Sequence, residues 1–473
     1  MKLSLVPFLA LTLFTGAAWA DSATRLWRTA PDEGLYLAPS AGPAFAQEPG
    51  DPGTTVVIDA GVRYQTMAGF GASMTEASAW ALDQLNPDER DRALGLLFSR
   101  AGIGITLLRQ PMGASDFALS VYSYDDRASG PDPSLEDFNL DRDRQHILPL
   151  LQRAKALAPD LVLMASPWSP PAWMKTGNSM LGASGGVLRP EYYAAYAEYF
   201  ARFLEGYAAA GVPVTVVTPQ NEPAYGPPDY PGMVWSAQEE GTFVRTALGP
   251  LLARRAPGVK ILGWDHNWDK TQYAQDLLAD PSTARWFAGT AWHHYGGGPE
   301  AMTALHNAFP DKEIWFTEGG SGRWIANNRY TGKFRAGLVE GIRIVQNWSK
   351  SIVWWNLALD QNHGPTVMPN NANDGLVAVD TRTGRLTEGS GGRFEAGYYA
   401  LGHFSKFVRP GAQRIDLKAD NGDLEAAAFL NPDGTKVVVA ANRFSSSQTL
   451  RVKEGERWVD LEVPGDSGLT LVW

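Results

Sequence analysis

Eight short apolar runs punctuate the middle of this chain, at 66–73, 105–112, 161–168, 214–222, 260–267, 289–295, 313–319 and 351–359, and each ends in polar or aromatic residues. Most are separated by stretches with helical spacing. The stretch 190–210, for example, places Tyr192, Tyr196, Phe200 and Phe203 on one face, and 238–255 behaves similarly. Strands that alternate with helices pair in parallel, because a parallel connection needs a crossover long enough to hold a helix. Eight repeats of that unit close into a barrel. The pattern changes after 397 to short β-rich runs with turn signals, such as 426–430, then Asn431-Pro432-Asp433-Gly434, then 436–441. The segment 21–62 is rich in Pro and Gly and carries a strand-like stretch at 54–59. The predicted class is α/β: a (β/α)8 barrel over 63–397 with an attached antiparallel β-sandwich, formed by 21–62 together with 398–473.

In such a barrel, chemistry lies where strands end and loops begin. The fourth run ends in Thr218-Pro219-Gln220-Asn221-Glu222-Pro223 and the seventh in Trp315-Phe316-Thr317-Glu318-Gly319-Gly320, so Glu222 and Glu318 open onto the same face. Two carboxyl groups are the minimal equipment for cleaving a glycosidic bond, one to protonate the leaving oxygen and one to attack or stabilise the anomeric carbon. A glutamate by itself is more often a solvated or ion-paired surface group, and it is the shared strand-end setting that sets these two apart. Seventeen Trp add to this reading, since several stand at strand ends, where a flat apolar face suits stacking on a sugar ring.

Bulk properties narrow the partners. The net charge of −10 argues against nucleic acid or an anionic membrane surface, both of which need a basic footprint. Lys2, the apolar stretch 3–14 and Ala17-Ala18-Trp19-Ala20 follow the order of a secretory leader, with 1–20 removed and the mature chain exported to periplasm or medium. That apolar stretch is too short to span a bilayer, and no later one reaches the necessary length, so no integral membrane segment is expected. There are no cysteines, so stability in an oxidising compartment must come from core burial.

Other motifs carry less. Gly182-Ala183-Ser184-Gly185-Gly186 fits the serine-hydrolase pattern but lies in a glycine-rich loop. Gly69-Phe70-Gly71 begins a dinucleotide fingerprint whose third glycine is Met74. His293-His294 with Asp265 or His266 lacks a metal-binding spacing, and adjacent side chains on a strand face opposite ways. No metal and no cofactor are expected.

Five segments taken together resemble glycoside hydrolase family 30: 70–76 (FGASMTE), 166–175 (SPWSPPAWMK), Asn221-Glu222-Pro223, 355–359 (WNLAL) and 401–407 (LGHFSKF). They run in the expected order through nearly all of the mature chain. The resemblance implies a TIM barrel with a β-sandwich and retaining hydrolysis of β-glycosides. It assigns Glu222 as acid/base and Glu318 as nucleophile, with Asn221 on the sugar 2-hydroxyl. It also implies sugar contacts from Glu76, Trp168, His293 and Tyr295, with Trp355 as an aromatic floor. The proton donor must stay protonated while the nucleophile stays ionised, so Glu318 is expected to be held by Tyr295 or by a cation such as Arg109.

Trp354 replaces an aspartate of the glucosylceramidases, and Thr218–Pro223 with Leu359-Asp360-Gln361-Asn362 is closer to the β-1,6-glucanase branch. The leading expectation is an exported retaining hydrolase of β-1,6-glucan or its oligosaccharides. Glucosylceramidase, xylosidase and fucosidase activities are the alternatives within the class, and a non-catalytic carbohydrate-binding protein is the alternative outside it.

Overall fold

The structure, a computed structural model, describes residues 24–473 apart from 49, 51, 52, 370 and 391, so the expected leader 1–20 lies outside the described residues. Three strands come first: β1 (Arg25–Ala30), β2 (Leu35–Ala41) and β3 (Thr54–Thr66). The eight apolar runs then supply β4 (Gly69–Ser73), β5 (Leu107–Pro111), β6 (Val162–Ser166), β7 (Val216–Val217), β8 (Lys260–Asn267), β9 (Gly289–His293), β10 (Glu313–Glu318) and β11 (Ser351–Trp354). All seven neighbouring pairs are parallel, in the order β10-β9-β8-β7-β6-β5-β4-β11, and bridges from Ile314 to Ser349 and from Gly319 to Trp354 bring β10 against β11. These strands are buried on both faces, which is why they read as apolar runs without alternation.

The barrel interior is packed by one residue per strand at a single level: Leu107, Met164, Val216, Leu262, Ala291, Trp315 and Val353. In β4 the same level is Gly71, paired with both Leu107 and Val353, where a Cβ would fall 1.6 Å from the Leu107 carbonyl oxygen. Only glycine allows the strands to approach that closely.

Helices cover the outside. Tyr193–Ala209 follows a short 3-10 turn at Pro190–Tyr192, so the helical signal at 190–210 is realised in two pieces. The stretch 238–255 is helical but interrupted by a π turn at Val244–Leu248, where Gly249 donates to Val244. Pro250 has no N–H to continue the α-pattern, and widening the preceding turn absorbs that loss.

A small sheet of β12 (Ala358–Asp360), β13 (Val377–Asp380) and β14 (Arg385–Thr387) follows β11. After the helix Ala396–Ser405 come β15 (Gln413–Ala419), β16 (Leu424–Leu430), β17 (Lys436–Asn442), β18 (Gln448–Glu454), β19 (Arg457–Val463) and β20 (Gly468–Val472). They form one nine-stranded sheet with β1 to β3, in the order β19-β18-β3-β15-β16-β17-β20-β1-β2, antiparallel except where β3 meets β18. The chain's first strands are thereby built into its last domain, as expected, around a separate apolar core that includes Val56, Val438, Leu450, Val459 and Leu471.

His403 fastens the two domains. It sits fully buried on the helix Ala396–Ser405, with Nδ1 2.8 Å from Thr470 Oγ1 and Nε2 2.9 Å from Thr29 Oγ1, on β20 and β1. The Thr470 hydroxyl donates to the His403 carbonyl, so it accepts from Nδ1–H, and Thr29 donates to Nε2. Burial pushes the imidazole down to about 3, so it is neutral in the fold, whereas the unfolded chain binds a proton below about pH 6.5. Stability from this group is complete above that pH and is lost as pH falls toward 3. His403→Leu is expected to cost about 2–4 kcal/mol in denaturant unfolding and to flatten the loss of stability between about pH 6 and 4.

Candidate active site

Two residues beyond the apolar level, the same strand faces change character. Leu107 is followed by Arg109, Met164 by Ser166, Val216 by Thr218, Ala291 by His293, Trp315 by Thr317 and Val353 by Trp355. A strand period of two puts each of these into the barrel on the C-terminal side. β8 breaks the rule. Trp264 and Asp265 have φ of +77° and +54°, and the register slips between Trp264 and His266. The bulge turns Trp264 outward against Tyr273 and delivers Asp265, three residues past Leu262, to the barrel axis. A second slip lies between Phe316 and Glu318.

Arg109, with no exposed surface, holds this layer together. Its Nη2 donates to Asp265 Oδ2 at 2.8 Å and to Asn221 Oδ1 at 2.7 Å, while Nη1 donates to Glu318 Oε2 at 2.5 Å. Asp265 also accepts from Ser166, Thr218 and Thr317 at 2.9, 2.7 and 2.7 Å. His293 lies between the carboxyl groups, with Nε2 3.0 Å from Asp265 Oδ1 and Nδ1 3.1 Å from Glu222 Oε1. Tyr295 donates to Glu318 Oε1 at 2.9 Å. Glu222 stands on a strained backbone with φ +47°, and its N–H donates to the Asp265 carbonyl at 3.0 Å.

The charges are arranged in alternation. Burial would raise Asp265, but the Arg109 guanidinium and His293 hold its carboxyl well below the usual carboxylate range. Burial would lower His293, but the Glu318 charge and the bond to Asp265 push it up to about 9. Burial lifts Glu222 above its usual range, against the pull of His293 and with help from the Glu318 charge. Burial therefore favours the protonated form of Glu222, which stands beside Glu318, itself bonded to Arg109. One oxygen of each lies within 4.8 Å of the other.

Glu222, His293 and Glu318 also form the one group among the described residues with the spacing of a metal site. His293 is bonded at both nitrogens and Arg109 occupies a Glu318 oxygen, so the trio is tied together as a hydrogen-bonded cluster.

Above the carboxyl groups lies a cavity of about 590 Å³. Of the residues expected at the site, Trp168, Asn221, Glu222, Tyr295, Glu318 and Trp355 line it, and Arg109 and His293 lie directly beneath. Trp168 and Trp355 are stacked at 5.1 Å, with the Arg109 guanidinium 4.9 Å from the Trp168 ring. Both expected partners of Glu318, Tyr295 and Arg109, are bonded to it.

Glu76 is not part of the cavity wall. Its carboxylate is spent on Arg142 at 2.6 Å and on the Leu119 N–H at 2.7 Å. It latches the loop after β5, and that loop brings in a different acid: Asp116, held well above its usual range by burial and then by the Glu318 charge. Asp116 sits in an irregular loop with no strand-end signature, as do the wall residues Tyr230, Trp324 and Asn373. In the sequence Asp265 stands out only beside His293-His294, in an arrangement without metal-binding spacing, and the bulge that aims it inward has no signal there.

A parallel eightfold barrel with two carboxyl groups converging at its C-terminal mouth has the equipment that glycoside hydrolysis needs. The glycosyl hydrolase family 30 TIM-barrel domain matches residues 67–408, and the family 30 beta sandwich domain matches 411–471. The chain belongs to glycoside hydrolase family 30. An endo-1,6-beta-D-glucanase of Neurospora crassa is 31% identical over 98% of this chain and 96% of its own length. The lysosomal acid glucosylceramidase of Mus musculus is 32% identical over 87% of this chain and 82% of its own. The solved endo-beta1,6-glucanase BT3312 superposes with a TM-score of 0.85 at 29% identity, covering 95% of this chain and 99% of that one. These relatives make the protein a β-glycosidase.

Burial raises Glu222 most and the Glu318 charge adds to it, so Glu318→Gln is expected to lower the Glu222 pKa. Carbon NMR of isotope-labelled glutamate side chains reads this shift directly; an unchanged or raised value would mean the two carboxyl groups do not sense each other.

Proposed function

We propose that the protein is a retaining endo-hydrolase of β-1,6-linked glucan, with Glu222 as acid/base and Glu318 as nucleophile. The observation that carries this is the short separation of the two carboxyl groups. Retaining enzymes hold theirs about 5 Å apart, whereas inverting enzymes need about 6.5–9.5 Å to fit a water. Glu222 gives its proton to the glycosidic oxygen while Glu318 attacks the anomeric carbon; the bond to the leaving sugar breaks and a glycosyl ester forms. Water then gives its proton to Glu222 and attacks the same carbon, releasing Glu318 and a β-configured product.

The neighbours suit these tasks. Arg109 and Tyr295 direct hydrogen bonds at the Glu318 carboxylate, and the protonated His293 balances the buried charge of Asp265. Arg109 occupies the Asn221 amide oxygen, so the NH2 remains as the donor for a sugar hydroxyl. Trp168 and Trp355 offer the stacking floor, and the buried carboxyl of Asp116 is placed to bond hydroxyls across the cavity.

The rim favours a polysaccharide over a lipid glycoside. Tyr225, Tyr295 and Trp324 line the opening with 46%, 46% and 55% of their surface exposed, as platforms for further sugars. Between them lie Asn267, Asp269, Lys270 and Asn373, where a ceramide chain would need apolar neighbours. Full-length similarity to proteins named endo-1,6-beta-D-glucanase supports the same choice. The leader-like order of residues 2–20 supports export.

Glu318→Gly and Glu222→Ala are each expected to lose at least about 1,000-fold in turnover of β-1,6-glucan. With an activated aryl glycoside, azide should rescue the first to an α-glycosyl azide and the second to a β-glycosyl azide; azides of the opposite configuration would exchange the roles. Trp324→Ala is expected to raise KM for the polymer about 10-fold, with little change in turnover of a small aryl glycoside. Release of ceramide from glucosylceramide without cleavage of the glucan would refute the substrate assignment.

A further inference from the structure

His294 follows His293 at the end of β9 and faces the other way. Its Nε2 accepts the Gly320 N–H at 2.7 Å, and its Nδ1 lies 2.7 Å from Glu340 Oε1, on the helix Tyr330–Gln346 outside the barrel. A ring nitrogen that accepts a backbone N–H carries no hydrogen, so the hydrogen sits on Nδ1 and is donated to Glu340. The carboxylate thereby fixes both the tautomer and the orientation of the ring.

The peptide held in this way is the one between Gly319 and Gly320, beginning one residue after Glu318. Its other edge is also held, because the Gly319 carbonyl accepts the Trp355 N–H at 2.7 Å. Both positions are tightly packed. A Cβ on Gly319 would fall 2.6 Å from the Trp354 ring, and one on Gly320 would fall 3.2 Å from the Tyr295 hydroxyl that bonds Glu318. Two glycines have the widest conformational freedom of any pair, so close packing here needs a restraint from outside the segment. His294 on one edge and the Trp355 backbone on the other supply it.

We propose that His294, oriented by Glu340, is a positioning residue for the reaction: it clamps the Gly319–Gly320 peptide and so sets the Glu318 carboxylate relative to Tyr295 and the Trp355 floor. The clamp accounts for a histidine that the charge cluster does not use. The inference rests on the assignment of Glu318 as nucleophile.

The test is the rate at which 2,4-dinitrophenyl 2-deoxy-2-fluoro-β-gentiobioside, an activated β-1,6-linked diglucoside, traps the nucleophile as a stable ester, followed by intact mass and peptide mapping. The wild type should be labelled on Glu318. His294→Leu, which removes the acceptor, should be labelled about 30-fold more slowly, with less than about 3-fold change in the half-saturating reagent concentration. His294→Gln, whose amide oxygen can take the Gly320 N–H, should stay within about 5-fold of wild type. A leucine variant trapped at the wild-type rate, or a glutamine variant as slow as the leucine one, would overturn the proposal. If His294→Leu does not fold, Glu340→Leu decides: a slowing of about 5-fold is expected, and an unchanged rate overturns it. A wild type labelled elsewhere than on Glu318, or not at all, would refute the nucleophile assignment and the clamp with it, which a normal wild type with indifferent variants would not.

Discussion

A guanidinium with no exposed surface, paired to an aspartate with none, stands at the centre of the barrel, and the rest of the site is arranged around that pair. Removing one partner from such a pair leaves a buried charge uncompensated, which costs about 3–5 kcal/mol. In the intact pair the desolvation of both charges is offset by saturation: the arginine reaches Asp265, Glu318 and Asn221, and the aspartate collects hydroxyls from Ser166, Thr218 and Thr317 as well as His293. Members of five barrel strands meet in this network. The same bonds that close the top of the barrel therefore position the Glu222 and Glu318 carboxyl groups, so the stability of the barrel mouth and the geometry of the site depend on one set of contacts.

Backbone strain marks where this order is imposed. Glu222, Trp264, Asp265 and Asn356 all adopt positive φ without being glycine, at the ends of strands or just beyond them. Each such residue costs about 1–3 kcal/mol, and such costs persist only where the surroundings over-determine the conformation. The Asp265 carbonyl receives the Glu222 N–H, so the two strained residues support each other. Glu240 lies behind the bulge, fully buried, and accepts from the Tyr273 hydroxyl at 2.8 Å. Burial pushes its carboxyl up to about 8, consistent with a neutral group backing the bulge.

The barrel was legible because its strands are buried on both faces, and burial of that kind writes itself as eight apolar runs. Glu222, Glu318, Trp168 and Trp355 were legible because they stand at the ends of those runs. Asp265 was not, since a bulge changes which residue faces inward without changing composition. Asp116 was not either, because its loop has no periodicity and its position depends on long-range partners. Glu76 shows the converse: a strand-end acid next to a familiar motif whose charge is consumed by Arg142 and a backbone N–H, so that it shapes the wall through the loop it holds. Pattern reports which face is buried; it does not report which polar group has its partners already.

The wall above the carboxyl groups combines exposed aromatic rings with amides and charges, and no helix among the described residues is long and apolar enough to cross a membrane. The most direct measurement of the central claim is proton NMR of β-1,6-glucan digestion in its first minutes, before the new reducing ends mutarotate. The account predicts that the anomeric signal of the β-configured end appears first and the α signal follows by mutarotation. An α signal appearing first would mean single displacement with inversion, and the double-displacement role of Glu222 and Glu318 would be contradicted.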